Sequence, residues 1–495
     1  MGQLVCRDRN RAGRSASVGL IGIVAVCSAL LIGGASASAA TGSASTGGAH
    51  TVKAGTPRSA GQAPTGTDWA AYLNGAQHAS YKASQTVITP TNAETLTRRW
   101  QFTTGTYEAS PTVVGGRVYI GSENGWLYKL SMYTGQVLAK VFLGTQPQRT
   151  CPAEGITSTA TVALNPANKV LTVYVAGGNG YLYALRASNL RTEWRSVIGI
   201  PREKFNNYYD WSSPTVARGR VYVGISSNCD TPLIRGGVLA FNEATGKKLG
   251  QFFTVPAGSK NAGGSVWSSI GVAPNGDVYA TTGNGPASNQ FLQNSDSILK
   301  LSAVRLRLLG SFKVPRRQAT ADGDFGGSPV FFGKYVGACN KNGVFYALSQ
   351  ATMKLVWSER IASASGADAS CLASPAYNGT DLFLGGGSIT INGTAYAGSV
   401  QERLASNGKL VWSTGLTGGA VLGSPALDGR GVLTAGTFGG STAGVYLIDA
   451  STDATKGAVI EKLTTGSTFG QSVFSSNLLF TANSNGVTAW GVPTS

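Results

Sequence analysis

Apolar positions in this chain come in short runs that stop at glycine, the signature of strands joined by tight turns. Val118-Tyr119-Ile120-Gly121 is soon followed by Trp126-Leu127-Tyr128-Lys129-Leu130, and Val221-Tyr222-Val223-Gly224 by Gly237-Val238-Leu239-Ala240-Phe241. Each such pair sits inside a longer unit that recurs along the chain. A small-residue opening, often Ser-Pro, leads into an apolar strand, then a strand of the type Val-Tyr-x-Gly. A strand of the type Leu-Tyr-Ala-Leu follows, then a Thr-Gly-Lys turn, then a strand that often carries Trp. Ser110-Pro111, Ser213-Pro214, Ser328-Pro329, Ser374-Pro375 and Ser424-Pro425 open the clear copies, and weaker ones begin near Ser158, Ser269 and Ser472.

Eight openings at a spacing of about 46 to 59 residues predict an all-β chain of eight four-stranded antiparallel blades, an eight-bladed β-propeller. The eighth copy stops at Trp490-Gly491-Val492, before its fourth strand. An unclaimed segment of fourth-strand type, Leu96 to Gly105 (LTRRWQFTTG), precedes the first opening. Its Trp100 matches Trp194, Trp357 and Trp412 in their own copies. The N-terminal strand is therefore expected to complete the last blade, which closes the ring and hides both open sheet edges.

The flanks read differently. Residues 1–40 combine Arg7, Arg9, Arg11 and Arg14 with an apolar run from Val18 to Gly33 and the small residues ASASAA, the pattern of a Sec signal peptide. Residues 41–67 are Gly, Ser, Thr, Ala and Pro with almost no large apolar side chains, and are expected to form a disordered tether. That leaves 68–495 as one propeller domain, exported to the cell-envelope exterior or beyond. Removing the first 40 residues lowers the formal charge from +17 to about +14. A basic exported protein suits contact with an anionic cell envelope, and no nucleic-acid motif is present.

Cys151, Cys229, Cys339 and Cys371 lie beyond the signal peptide, an even number in an oxidising compartment. Of the three possible pairings we expect Cys151–Cys229 and Cys339–Cys371, each joining neighbouring blades. No Cys-x-x-Cys-His occurs, so no c-type haem is attached. The only histidines are His50 and His78, which excludes most Ser-His-Asp, Cys-His and His-zinc chemistry.

The repeats resemble those of pyrroloquinoline quinone (PQQ) dehydrogenases over nearly all of residues 68 to 492. The opening segment DWAAYLNGAQHASYKASQTVITPTNAETLTRRWQF is similar to the start of that family. The resemblance implies a site. GGSVW places Trp267 where a tryptophan stacks under the quinone, and TGNGP places Asn284 where an asparagine oxygen ligates calcium. ADGDFGGSP places Asp324 at the catalytic carboxylate, the general base on an alcohol. CNKNGVFYAL places Lys341 where a cation bonds the quinone oxygens, and VGISSN places Ser226 where a serine holds a PQQ carboxylate.

The chain also departs from the family. It has Cys151 alone where the enzymes carry adjacent cysteines, and no arginine follows. The calcium-binding glutamate position falls on Cys229, with Asp230 beside it as a substitute ligand. The nearest likeness is to polyvinyl-alcohol-dehydrogenase-like exported proteins. The resemblance implies a PQQ- and calcium-dependent alcohol dehydrogenase acting on a small-molecule or polymeric alcohol, with a separate electron acceptor. The alternative is a non-catalytic propeller serving as a binding or cell-surface scaffold.

Overall fold

The computed structural model describes residues 63–146, 154–199, 207–363 and 370–493. The expectations for residues 1–40, for most of the tether and for Cys151 lie outside these described residues. The chain is packed slightly earlier than expected: Ser84 Oγ donates to the Gly66 carbonyl and Ser475 Oγ to the Thr67 carbonyl.

Eight four-stranded antiparallel blades form, and in the first seven the strands run in chain order from the centre outward. The first blade is Thr112–Val114, Arg117–Gly121, Trp126–Ser131 and Val137–Phe142. Its inner strands are buried and its outermost strand is largely exposed, as the pattern of large apolar residues requires. The eighth blade takes Val473–Ser475, Leu478–Asn483 and Gly486–Gly491 from the C-terminus and Thr97–Phe102 from the N-terminus. Thr97 pairs with Gly491 and Phe102 with Val487, so the ring closes as the sequence indicates. Short additions decorate three blades. Tyr208–Tyr209 pairs with the end of Arg220–Ser227 in the third, the hairpin Ile389–Ile391/Thr394–Tyr396 rises from the sixth, and Tyr81–Lys82 runs parallel to the inner strand of the seventh.

The repeated residues make the contacts between blades. Trp100, Trp194 and Trp357 each donate their indole N–H to a carbonyl of the next blade, those of Met132, Glu243 and Ala405. The glycine of that blade's last turn lies flat on the same indole. A Cβ on Gly135, Gly246 or Gly408 would come within 2.5, 2.4 or 2.7 Å of the ring, and all three have positive φ. Only glycine meets both demands.

The openings form a second circuit around the central channel. Ser110 N–H donates to Thr159 Oγ1 at 2.9 Å, Thr159 N–H to Ser213 Oγ, and Ser213 N–H to Ser269 Oγ. The relay continues through Ser328, Ser374 and Ser424 and returns from Gln471 N–H to Ser110 Oγ at 2.8 Å. Thr159 and Gln471, rather than Ser158 and Ser472, thus hold the equivalent places in the second and eighth blades.

The opening segment closes one end of the channel. The carbonyls of Ala70, Ala76, Ala79 and Ser80 accept the N–H groups of Val162, Val272, Tyr377 and Leu427, from four different blades. Gln471 reaches in from the eighth blade, accepting from Leu73 N–H and donating to Ser80 Oγ. His78 Nδ1 lies 2.7 Å from the Pro329 carbonyl and is buried. A disulfide joins Cys339 in the fifth blade to Cys371 ahead of the sixth, as expected. Cys229 is also disulfide-bonded.

Candidate functional site

Two residues before each position of the relay except Ser328, which Gly326 precedes, the chain presents one side chain to the channel. Six of these are Glu108, Trp211, Trp267, Leu372, Leu422 and Phe469, and they line a cavity together with most of the relay hydroxyls. An apolar and aromatic belt therefore sits over a hydroxyl ring, with Tyr72 of the opening segment at the far end, 3.2 Å from Ser424 Oγ. The Trp267 indole N–H is buried and has no hydrogen-bond partner.

At the open end of this channel the connections into the fourth and fifth blades, carrying Trp267 and Asp324, meet the loops between the second and third strands of the same blades, carrying Asn284 and Lys341. Lys341 Nζ lies 5.6 Å from the centroid of the Trp267 ring. The same ammonium donates to Asp324 Oδ2 at 3.1 Å and to Asp322 Oδ2 at 3.2 Å. Asp324 Oδ1 accepts the backbone N–H of Asn284 at 2.5 Å. Gly283 and Gly326 permit the approach: a Cβ on the first would press on Asp324 Oδ1 at 2.8 Å, and on the second it would meet the Trp267 ring at 2.7 Å. Asp324 and Lys341 are almost wholly buried. Burial raises the Asp324 carboxyl above its ordinary value and Asp322 adds to this, while Lys341 and the Asn284 N–H pull it back.

The neighbours of this group carry no motif that marks them. Asp296 accepts from Asn340 Nδ2 at 3.0 Å, and burial, with the nearby Asp324 charge, pushes its carboxyl up to about 7. Asp322 was likewise unmarked.

Two expected residues stand apart from the cluster. Ser226 is fully buried, and its hydroxyl donates to the Tyr209 carbonyl at 2.7 Å. Asp230 is half-buried in the loop between Ser227 and the next strand, beside the disulfide-bonded Cys229. Among the described residues no group of three His, Cys, Asp or Glu side chains is placed to hold a metal ion.

The first three blades contribute a further set of acids that sequence reasoning missed. Burial pushes Glu108 up to about 7 and Glu154 adds to it; Glu123 is raised by burial and by both of these neighbours. Tyr209 donates to the Gly155 carbonyl at 2.7 Å beneath them. Glu108 stands two residues before Ser110, and that repeated position would have found it.

A family model described as outer membrane protein assembly factor BamB, PQQ_2, matches residues 28–249 and 315–495. The chain belongs to the PQQ_2 family. The unmatched stretch of this PQQ_2 propeller, 250–314, contains Trp267, Asn284 and Asp296. Quinohemoprotein alcohol dehydrogenase ADH IIB of Pseudomonas putida is 26% identical over 238 residues, 40% of this chain and 33% of that protein. The match thus spans about a third of that relative's length. Among solved structures, the quinohemoprotein alcohol dehydrogenase of Comamonas testosteroni has a TM-score of 0.66 at 14% identity, covering 87% of this chain and 82% of that one. BamB from Moraxella catarrhalis has a TM-score of 0.52 at 12% identity, covering 80% and 97%. At such identities these likenesses establish the fold alone.

Proposed function

We propose that this PQQ_2 propeller is an exported, PQQ-dependent alcohol dehydrogenase whose base is Asp324. The convergence of Asp324, Lys341 and Trp267 at the open end of the channel carries this reading. The residues present fit a flat quinone: an indole face with a buried, unpartnered N–H and a fixed ammonium over it. Trp267 and Lys341 would hold it, and when bound it supplies the two-electron acceptor for alcohol oxidation.

The fit to calcium is poorer. Both Asp324 oxygens are already engaged, and the expected donors Asn284 and Asp230 are joined by no acidic cluster among the described residues. Asp324 accepts the substrate hydroxyl proton, and for that it must be ionised. Lys341 serves two ends: its charge favours ionised Asp324, and it gives the site a fixed positive field for charge arriving during oxidation. The apolar belt keeps bulk water from the reacting carbon. The alcohol, small or polymeric, enters from the open end, and electrons leave to a separate acceptor.

Asp324→Asn tests this reading. PQQ binding should persist while turnover falls by about two orders of magnitude or more, since only the proton-accepting role is removed. Unchanged turnover would exclude Asp324 as base. A non-catalytic scaffold is the second reading, favoured by a family model that bypasses the stretch holding Trp267 and Asn284.

A further inference from the structure

The four strands of each blade alternate in direction, so the connection entering a blade lies at the candidate-site end. The first and last turns within a blade then lie at the opposite end, where the opening segment plugs the channel. These turns are basic in blade after blade. Arg218, Lys334 and Arg430 stand at the first turns of the third, fifth and seventh blades, and Arg307, Lys354 and Lys409 at the last turns of the fourth, fifth and sixth. All six are exposed, and none makes an ion pair among the described residues. The side chains of Arg218 and Arg430 donate to backbone carbonyls, those of Pro274 and Thr86, and not to a carboxylate. Lys456, at the last turn of the seventh blade, is different, because Glu402 neutralises it at 2.7 Å.

An apolar pair follows the basic turn directly in three consecutive blades. Leu308 and Leu309 are 42% and 54% exposed, Leu355 and Val356 both 44%, and Leu410 and Val411 45% and 43%. About half of each of these side chains stays open to solvent, and one basic-apolar couple repeated along a rim is a surface feature rather than scattered exposure.

We infer that the plugged end of the propeller, along the fourth to sixth blades, docks on an anionic phospholipid bilayer. The charge of the rim and the formal charge of about +14 beyond residue 40 match a negative lipid surface. A soluble or wall polyanion would use the lysines and arginines alone. The exposed leucines and valines beside them gain only where an apolar layer lies just beneath the charges, as under lipid headgroups. Docking by this end leaves the candidate site facing away from the membrane and open to substrate. The inference is independent of the proposed chemistry, since none of these residues lies near Trp267 or Asp324.

Co-sedimentation of the purified chain with phosphatidylcholine vesicles, with and without phosphatidylglycerol, tests it. Binding should require phosphatidylglycerol and weaken as salt is raised. Lys354→Ser and Lys409→Ser should each weaken it about five-fold. Leu355→Ser combined with Val356→Ser should weaken it too, with melting temperatures and PQQ binding unchanged in every variant. Equal binding to neutral vesicles, or no loss in the lysine variants, would overturn the inference. Loss in the lysine variants with none in the Leu355/Val356 pair would assign the rim to a polyanion instead, and equally overturn it.

Discussion

Lys341 Nζ lies 3.1 Å from Asp324 Oδ2 while the same ammonium sits over the Trp267 ring, so one buried charge couples the proposed base to the proposed cofactor floor. The coupling sets the direction of the pH dependence. Burial holds the Asp324 carboxyl above the usual range and the negative Asp322 raises it further, so activity that needs ionised Asp324 should fall as pH drops toward that value. Asp322→Asn removes the raising charge and should move the acid limb of the kcat/KM profile to lower pH. Lys341→Met removes the lowering charge and should move the limb up. Opposite shifts in the two profiles are the expected outcome, and shifts of one sign would contradict the coupling.

The contact of Gly246 with Trp194 tests how the blades are locked. Gly246 has φ +70°, and a Cβ there would lie 2.4 Å from the indole of the preceding blade. Gly246→Ala should cost about 1–3 kcal/mol of stability through backbone strain and a displaced tryptophan. Chemical denaturation measures it, and an effect below about 0.5 kcal/mol would show that the indole moves freely.

His78 makes the plug sensitive to acid. Burial lowers its pKa from 6.5 to about 4, so the folded protein holds it neutral where the unfolded chain would protonate it. A base with a depressed folded pKa contributes stability that is present above 6.5 and is lost as pH falls toward 4, here about 3 kcal/mol. His78→Asn keeps a residue that tolerates the local positive φ of 59° and removes the titration. The stability difference between the native protein and this variant should shrink by most of that amount between pH 7 and pH 4. A constant difference would mean that His78 does not titrate with unfolding.

Breaking the Cys339–Cys371 bond releases a loop of 32 residues' separation from the unfolded chain's constraints. Loop entropy puts the loss at about 3–4 kcal/mol for Cys339→Ser with Cys371→Ser, at unchanged fold. Non-reducing peptide mapping should recover this pair, and free thiols at both positions would refute it.

Much of the fold was legible because its contacts recur as residue types. Trp100 could be placed in the last blade, at the wrong end of the chain, only because Trp194, Trp357 and Trp412 hold the same place in theirs. The relay was read less accurately. Thr159 Oγ1 is the acceptor in the second blade, and in the eighth Gln471 joins through its backbone N–H, at positions where neighbouring serines were favoured. The order of Trp267, Asn284, Asp324 and Lys341 was visible as a resemblance, and the structure does bring those four together. Asn284, however, meets Asp324 through its backbone N–H, which no side-chain motif encodes. Glu108 and Trp211 were passed over because their shared position, two residues before the relay, carries a different residue in almost every blade. Ser226 looked like a ligand in sequence, yet a local carbonyl engages its hydroxyl.

The most direct test of the account is whether quinone stays with the protein. The purified chain, equilibrated with excess PQQ in the presence of calcium and then stripped of unbound cofactor, should carry quinone absorbance close to one equivalent. Trp267→Ala should lose much of it, a stacking face contributing about 1–3 kcal/mol by analogy with base stacking on aromatic side chains. A native protein that emerges from the same treatment without quinone absorbance would contradict the enzyme reading and leave the PQQ_2 propeller as a binding scaffold.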